Sequence, residues 1–285
     1  MVLTDFILNL AALLLWLSWR SRQFDPLVRT VPATLVGTLR PAEPRRFKGG
    51  ELLAGLAVLL VLRGLLYVEI GSPADWTPKL NLGLIVLAFR SDSFSSVLLY
   101  SVLSFLRVFL IFYFWLLILA LLNRSAADSD AVPRMLRLHL GPPARWPWPW
   151  QLVLPVMVIA ALWAALYPPL LYLDVVTRVH STVLLAAQGL VLGLSVFFTL
   201  KYLLPVFLFL HLISSYVFLG RNPVWDFVSS TARSLLSPLR RVPLQFAQLD
   251  FAPVAGVVLL FLLLHWLPNF ILATLAKWNL TLWPQ

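Results

Sequence analysis

The chain contains no cysteine. That excludes a disulfide framework, a lipobox anchor, a thiolate metal site and a thiol nucleophile together. Charge is scarce as well: only 12% of the 285 residues are Asp, Glu, Lys or Arg, against 60% hydrophobic, and the mean hydropathy is +0.87. Soluble domains carry about 25% charged and about 45–50% apolar residues. A deficit this wide is not an enlarged soluble core; it marks an integral membrane protein. Acidic residues are the rarest charge, 12 against 22 Lys and Arg. The spans hold almost no carboxylates to line a proton or cation route. Signatures of catalysis are missing too: there is no P-loop, no G-x-S-x-G and no H-E-x-x-H. The chain reads as non-enzymatic, with no cofactor.

What is present is basic charge in blocks. Fifteen of the 22 Lys and Arg fall in segments 20–50, 124–149 and 220–250, which carry 7, 4 and 4 of them. Each block lies between apolar runs, a pattern that reads as orientation and headgroup contact rather than nucleic-acid binding. Crossing about 30 Å of hydrocarbon takes roughly 20 helical residues. Runs of that length are 2–19, 51–70, 97–122, 151–173, 197–219 and 252–275. The opening run has Asp5 where a secretory signal has a basic region, and no small-x-small cleavage site, so it reads as a retained span. Residues 174–219 read as one span after a short interfacial or re-entrant piece, because a reversal around Lys201–Pro205 would have no polar loop. Residues 81–93 read as a similar lead-in. The expected fold is all-α: a polytopic helical bundle of about six transmembrane helices, built from repeated hairpins with amphipathic linkers. Its expected parts are 1–70, 71–173 and 174–285. The basic linkers are expected on the cytoplasmic side of a cell inner membrane, with both termini on the far side. Trp146, Trp148 and Trp150, with Trp278 and Trp283, are expected at headgroup level.

The linker at 220–246, "GRNPVWDFVSSTARSLLSPLRRVPLQF", is the most informative stretch. Asn222 caps a helix and Pro223 occupies its first position, where no N–H is needed. Asp226 suits the positive end of the helix dipole. Val224, Trp225, Phe227, Val228, Ala232, Leu235 and Leu236 recur at helical spacing with Ser229, Ser230 and Arg233 opposite, as in an interfacial helix. Pro238 stops it, and Arg240 and Arg241 follow at phosphate level. Residues 25–46 repeat the plan with Asp25–Pro26, a proline 16 residues on, and Arg45–Arg46; "DSDAVPRMLRLHLGPPARWP" is a weaker third copy. These positions are the expected lipid and partner interface.

The firm part, roughly 200–270, resembles the YggT family of small integral membrane proteins. It carries Asn222–Pro223, then Pro238-Leu239-Arg240-Arg241, then Asp250–Phe251 entering the next span. Module 25–70 departs from the pattern: Asp25 replaces Asn, Pro32 interrupts the helix, and "LRPAEPRR" scrambles the arginine motif. The resemblance implies tandem helical hairpins and a role in organising or assembling membrane complexes. Chloroplast relatives are associated with haem attachment in cytochrome b6 maturation, and bacterial relatives with division-gene neighbourhoods and osmotic tolerance. No reaction is implied.

Among polar residues inside spans, His211 and His265 are candidate haem ligands, offset by roughly 7 Å at 1.5 Å per residue; a hydrogen bond across a helix interface is the plainer reading. Arg63 and Arg107 lie inside the second and third spans. Arg63 is expected to meet backbone carbonyls, lipid phosphate or Glu69, although Glu69 lies off its face. The expected function is a scaffold or assembly subunit of a larger membrane complex. The expected partners are membrane lipids, that complex and further copies of the chain, with no nucleic acid. The alternatives are transport or a channel role in ion and osmotic balance, with Arg63 or Arg107 lining a route, or haem assembly.

Overall fold

The computed structural model describes residues 2–23, 49–71, 76–124, 130–179, 181–217, 222–237, 245–246, 249–250 and 252–277. Asp25, Pro26, Arg45, Arg46, Pro238, Arg240, Arg241, Trp278 and Trp283 lie outside them. The described chain is predominantly helical. It runs α1 (Val2–Gln23), α2 (Gly49–Gly71), strands β1 (Lys79–Asn81) and β2 (Val86–Ala88), α3 (Phe94–Leu122), α4 (Ala131–Leu140), α5 (Trp148–Tyr172), α6 (Thr182–Ser195), α7 (Leu200–Tyr216), α8 (Pro223–Leu236), β3 (Gln245–Phe246), β4 (Leu249–Asp250) and α9 (Ala252–Lys277). Five of its helical stretches are long and apolar enough to cross a membrane: 3–21, 50–71, 94–122, 148–172 and 182–215. The sixth expected run coincides with α9, a helix of 26 residues.

Two compact units form, Met1–Leu80 with Ala88–Phe109, and Asn81–Leu87 with Leu110–Gln285. In the first, α1 lies along α2. The first half of α3 joins them: Ser101 Oγ donates to the Leu60 carbonyl at 2.9 Å. The two helices come close at Gly64, where a Cβ would make an ordinary van der Waals contact 3.5 Å from the Leu98 backbone. The outward faces of α1 and α2 are apolar and exposed, among them Leu3, Phe6, Val58, Leu62 and Leu66. This is the pattern of side chains whose solvent is lipid.

The lead-in expected over 81–93 is a β-hairpin instead. The reason is local: Asn81 Oδ1 accepts from the Gly83 N–H at 2.7 Å, and Gly83 takes φ +96°, a conformation glycine adopts without steric cost. Leu80 and Leu87 point inward while Lys79, Asn81, Val86 and Ala88 are exposed, the period-two alternation of a strand pair.

In the second unit α5 packs along α6. Gly189 and Gly193 form the seam. An added Cβ would stand 3.0 Å from the Ala160 backbone at the first and 2.6 Å from the Val156 carbonyl oxygen at the second. Small residues at this spacing let helix backbones approach closely in lipid, where dispersion replaces hydrophobic drive. The C-terminus of α5 closes with a Schellman arrangement: Asp174 takes φ 53°, and Val175 N–H reaches the Leu170 carbonyl at 3.0 Å. No reversal occurs between α6 and α7. A 3-10 turn at Val196–Thr199 joins them and Pro205 lies inside α7. Apolar clusters then tie α7 to the linker helices. Leu119, Leu203 and Phe227 pack with Val132 and Leu136 of α4, while Leu208 packs with Ala232 and Leu236 of α8 and with Val257 and Leu260 of α9.

Candidate functional site

Two places concentrate polar chemistry, one in each unit. In the first unit three helices each contribute an i, i+4 pair. These are Asp5 and Asn9 from α1, Arg63 and Tyr67 from α2, and Tyr100 and Ser104 from α3. Residues four apart share a helix face, so each helix presents two polar groups in one direction. They meet at Arg63, whose side chain is wholly buried. Its Nη2 donates to Asp5 Oδ1 at 2.6 Å and to Ser104 Oγ at 2.9 Å, and its Nη1 donates to Asn9 Oδ1 at 2.8 Å. Asn9 Nδ2 closes the ring by donating to Ser104 Oγ at 3.0 Å. The Asp5 carboxylate takes two further donors, Tyr67 O–H at 2.6 Å and Tyr100 O–H at 2.7 Å.

Both tyrosine rings also lie against the guanidinium, each with its centroid 5.5 Å from the Arg63 carbon. Trp76 and Phe89 cover them, edge-on to Tyr67 at 5.2 Å and to Tyr100 at 5.5 Å. Aromatic rings on this side limit water, and a lower local dielectric strengthens the ion pair beneath them. Of the guanidinium nitrogens, Nε has no hydrogen-bond partner among the described residues.

This corrects the expectation for Arg63. Its partner is Asp5, not Glu69, which is exposed. Its two Nη groups both bond to protein, to Asn9, Asp5 and Ser104, which makes it a cross-brace between three helices. Arg107 is half-buried on α3. The acidic partner was in plain view in the sequence as the odd charge of the first span. The signal that could have found the site is the recurrence of one polar i, i+4 pair in each of three apolar helices.

In the second unit the linker helix α8 is built as its sequence dictates. Asn222 Oδ1 accepts from the Val224 N–H at 3.1 Å, Pro223 occupies the first position, and Asp226 sits in the first turn. Phe227, Val228, Thr231, Ala232 and Leu236 are buried on one face. A polar clasp holds that face: Asn123, at the end of α3, donates from Nδ2 to Thr231 Oγ1 at 2.7 Å, and Thr231 Oγ1 donates to the Phe227 carbonyl at 2.8 Å. On the opposite face Ser230, Arg233, Ser234 and Ser237 line a shallow cavity of about 410 Å³. Arg233 Nε bonds back to the Ser229 carbonyl at 3.3 Å, which anchors the root of the side chain.

The other candidates are placed separately. His211 is half-buried on α7, its carbonyl accepting from Ser214 Oγ at 2.8 Å, and His265 is exposed on α9. No group of three or more His, Asp or Glu able to hold a metal occurs among the described residues. Trp146, Trp148 and Trp150 are all exposed. Lys201 lies 5.1 Å from the Tyr202 ring centroid. At the β-hairpin exit Arg90 forms an exposed two-point pair with Asp92, at 3.2 and 2.8 Å, and this hydrogen bonding holds the Asp92 carboxyl below its ordinary range. No family model, curated protein or solved structure matches the chain.

Proposed function

We propose that the chain is a non-enzymatic scaffold of the YggT type, an assembly or stabilising subunit of a larger complex in a cell inner membrane. The linkers face the cytoplasm and both termini lie on the far side. The observation that supports the reading is α8. It is an amphipathic helix clamped by Asn123 and by Leu208, Val257 and Leu260 against long apolar helices, and it holds a polar, cationic face away from them. An interfacial helix fixed in this way offers one defined surface to headgroups and to a neighbouring subunit, without a catalytic group. The internal polar contacts fit a structural role. Arg63 bonds to Asn9 and Ser104, and Trp115 Nε1 donates to Thr199 Oγ1 at 3.0 Å.

The test is purification of the full chain from native membranes in mild detergent, followed by native mass spectrometry. A stoichiometric membrane complex is expected. Arg240→Ala combined with Arg241→Ala is expected to lower its recovery while leaving helix content unchanged. Recovery of the chain alone, or undiminished association of the double variant, would refute the reading.

A further inference from the structure

The cavity on α8 has the chemistry of a phosphate site. Its lining among the described residues is Ser230, Arg233, Ser234 and Ser237, which follow i, i+3, i+4, i+7 spacing and so share one stripe of the helix. The stripe is opposite the buried face formed by Phe227, Val228, Thr231, Ala232 and Leu236. It carries one guanidinium and three hydroxyls, all able to donate to anionic oxygen. Arg233 Nε donates to the Ser229 carbonyl, and the two Nη groups of a guanidinium form the fork that matches a phosphoryl group. Asp226, the acidic group on the same side of the helix, is seven residues away, about 10 Å along the axis at 1.5 Å per residue. Arg233, Ser234 and Ser237 lie in the last turn and C-cap, where the roughly half-charge of the helix dipole opposes an anion, and the full charge of the guanidinium outweighs it.

The volume, about 410 Å³, lies within the range of about 300–1,000 Å³ for small-ligand clefts. Position selects the source. The opposite face of α8 is packed on α7 and α9; with α8 taken as a membrane-surface helix, a lipid headgroup is the phosphoryl source at hand. Residues 222–241 carry three arginines against one aspartate, a local excess that favours an anionic leaflet.

We infer that Ser230, Arg233, Ser234 and Ser237 form a binding site for the phosphoryl headgroup of an anionic phospholipid. The inference rests on α8 being a membrane-surface helix, as in the scaffold reading, but it is measured on the purified chain alone, so its failure and the failure of the partner reading are separable.

The experiment is native mass spectrometry of the full chain titrated with phosphatidylglycerol and, separately, phosphatidylcholine. The wild-type chain is expected to retain phosphatidylglycerol in preference. Arg233→Gln is expected to weaken that retention about tenfold, the size of one charge-assisted contact. Arg233→Lys keeps the charge but loses the fork and should fall between. Ser234→Ala with Ser237→Ala removes two donors, one half-buried and one exposed; this variant decides the matter if Arg233→Gln does not fold by its thermal melt. Equal retention of the two lipids, or unchanged preference in a folded Arg233→Gln or in the serine pair, overturns the site. Displacement of phosphatidylglycerol by millimolar inorganic phosphate would overturn the lipid assignment in favour of a soluble phosphoryl compound.

Discussion

The sharpest prediction concerns the Asp5–Arg63 pair, because the two partners are buried unequally. Asp5→Leu would leave a guanidinium with no exposed side-chain surface, losing its 2.6 Å contact and its neutralising charge. Arg63→Met would leave a carboxylate that is 20% exposed and still held by Tyr67 and Tyr100. Breaking a buried pair from one side costs about 3–5 kcal/mol, and an arginine at mid-helix in lipid costs about 2.5–3.5 kcal/mol on insertion scales. Asp5→Leu is therefore expected to cost about 4 kcal/mol, and Arg63→Met about 1 kcal/mol less, since water and two phenols remain to the carboxylate. The double variant leaves no charge and is expected to cost less than Asp5→Leu alone, because replacing both members of a pair with apolar groups is often near neutral. Reversible unfolding in mixed micelles, arranged as a double-mutant cycle, measures the coupling. Neutral hydrogen bonds between membrane helices couple by about 0.6 kcal/mol. A coupling above about 2 kcal/mol is expected here; a value at or below the neutral figure would refute the claim that this ion pair braces the three helices.

Two further outcomes follow from the packing and the charges. Gly193→Ala places a methyl 2.6 Å from the Val156 carbonyl oxygen, so the α5–α6 seam must open, with a cost of about 1–3 kcal/mol read as a lowered thermal midpoint; Gly55→Ala meets nothing within 4 Å and should be neutral or stabilising by about 0.5–1 kcal/mol. The Asp92 carboxyl is depressed by its hydrogen bond from Arg90, so what the pair contributes is present above the ordinary Asp range and is lost as pH falls through the depressed value. A carbon-detected NMR titration should place the Asp92 midpoint below that of an isolated Asp, and Arg90→Gln should move it up toward the ordinary range.

Much of the local architecture was legible in the residue order. Length and apolar content locate the long helices, and Asn222, Pro223 and the spacing from Phe227 to Leu236 define α8 and its buried stripe. These are near-neighbour effects: caps, propensity and a 3.6-residue period act within a few residues of chain. The hairpin at 79–88 was also encoded locally, by Asn81 and Gly83, but its apolar run reads equally well as an interfacial or re-entrant lead-in until the strand pairing is seen. The copy of the linker at 25–46 lies outside the described residues.

The partners across helices were a different matter. Arg63 is plainly costly in an apolar run, yet nothing local says that it meets Asp5, 58 residues earlier, or Ser104, 41 residues later. Periodicity states which face of a helix is polar, not which other face it turns toward, and the same stripe would serve lipid phosphate, a backbone carbonyl or a carboxylate. The sequence alone thus determined that this is a membrane protein of long apolar helices with an amphipathic linker. Only the tertiary packing of α1, α2 and α3 decided that its buried charge is a brace, because an ion pair is a property of two positions in space and desolvation rewards the one arrangement that satisfies both.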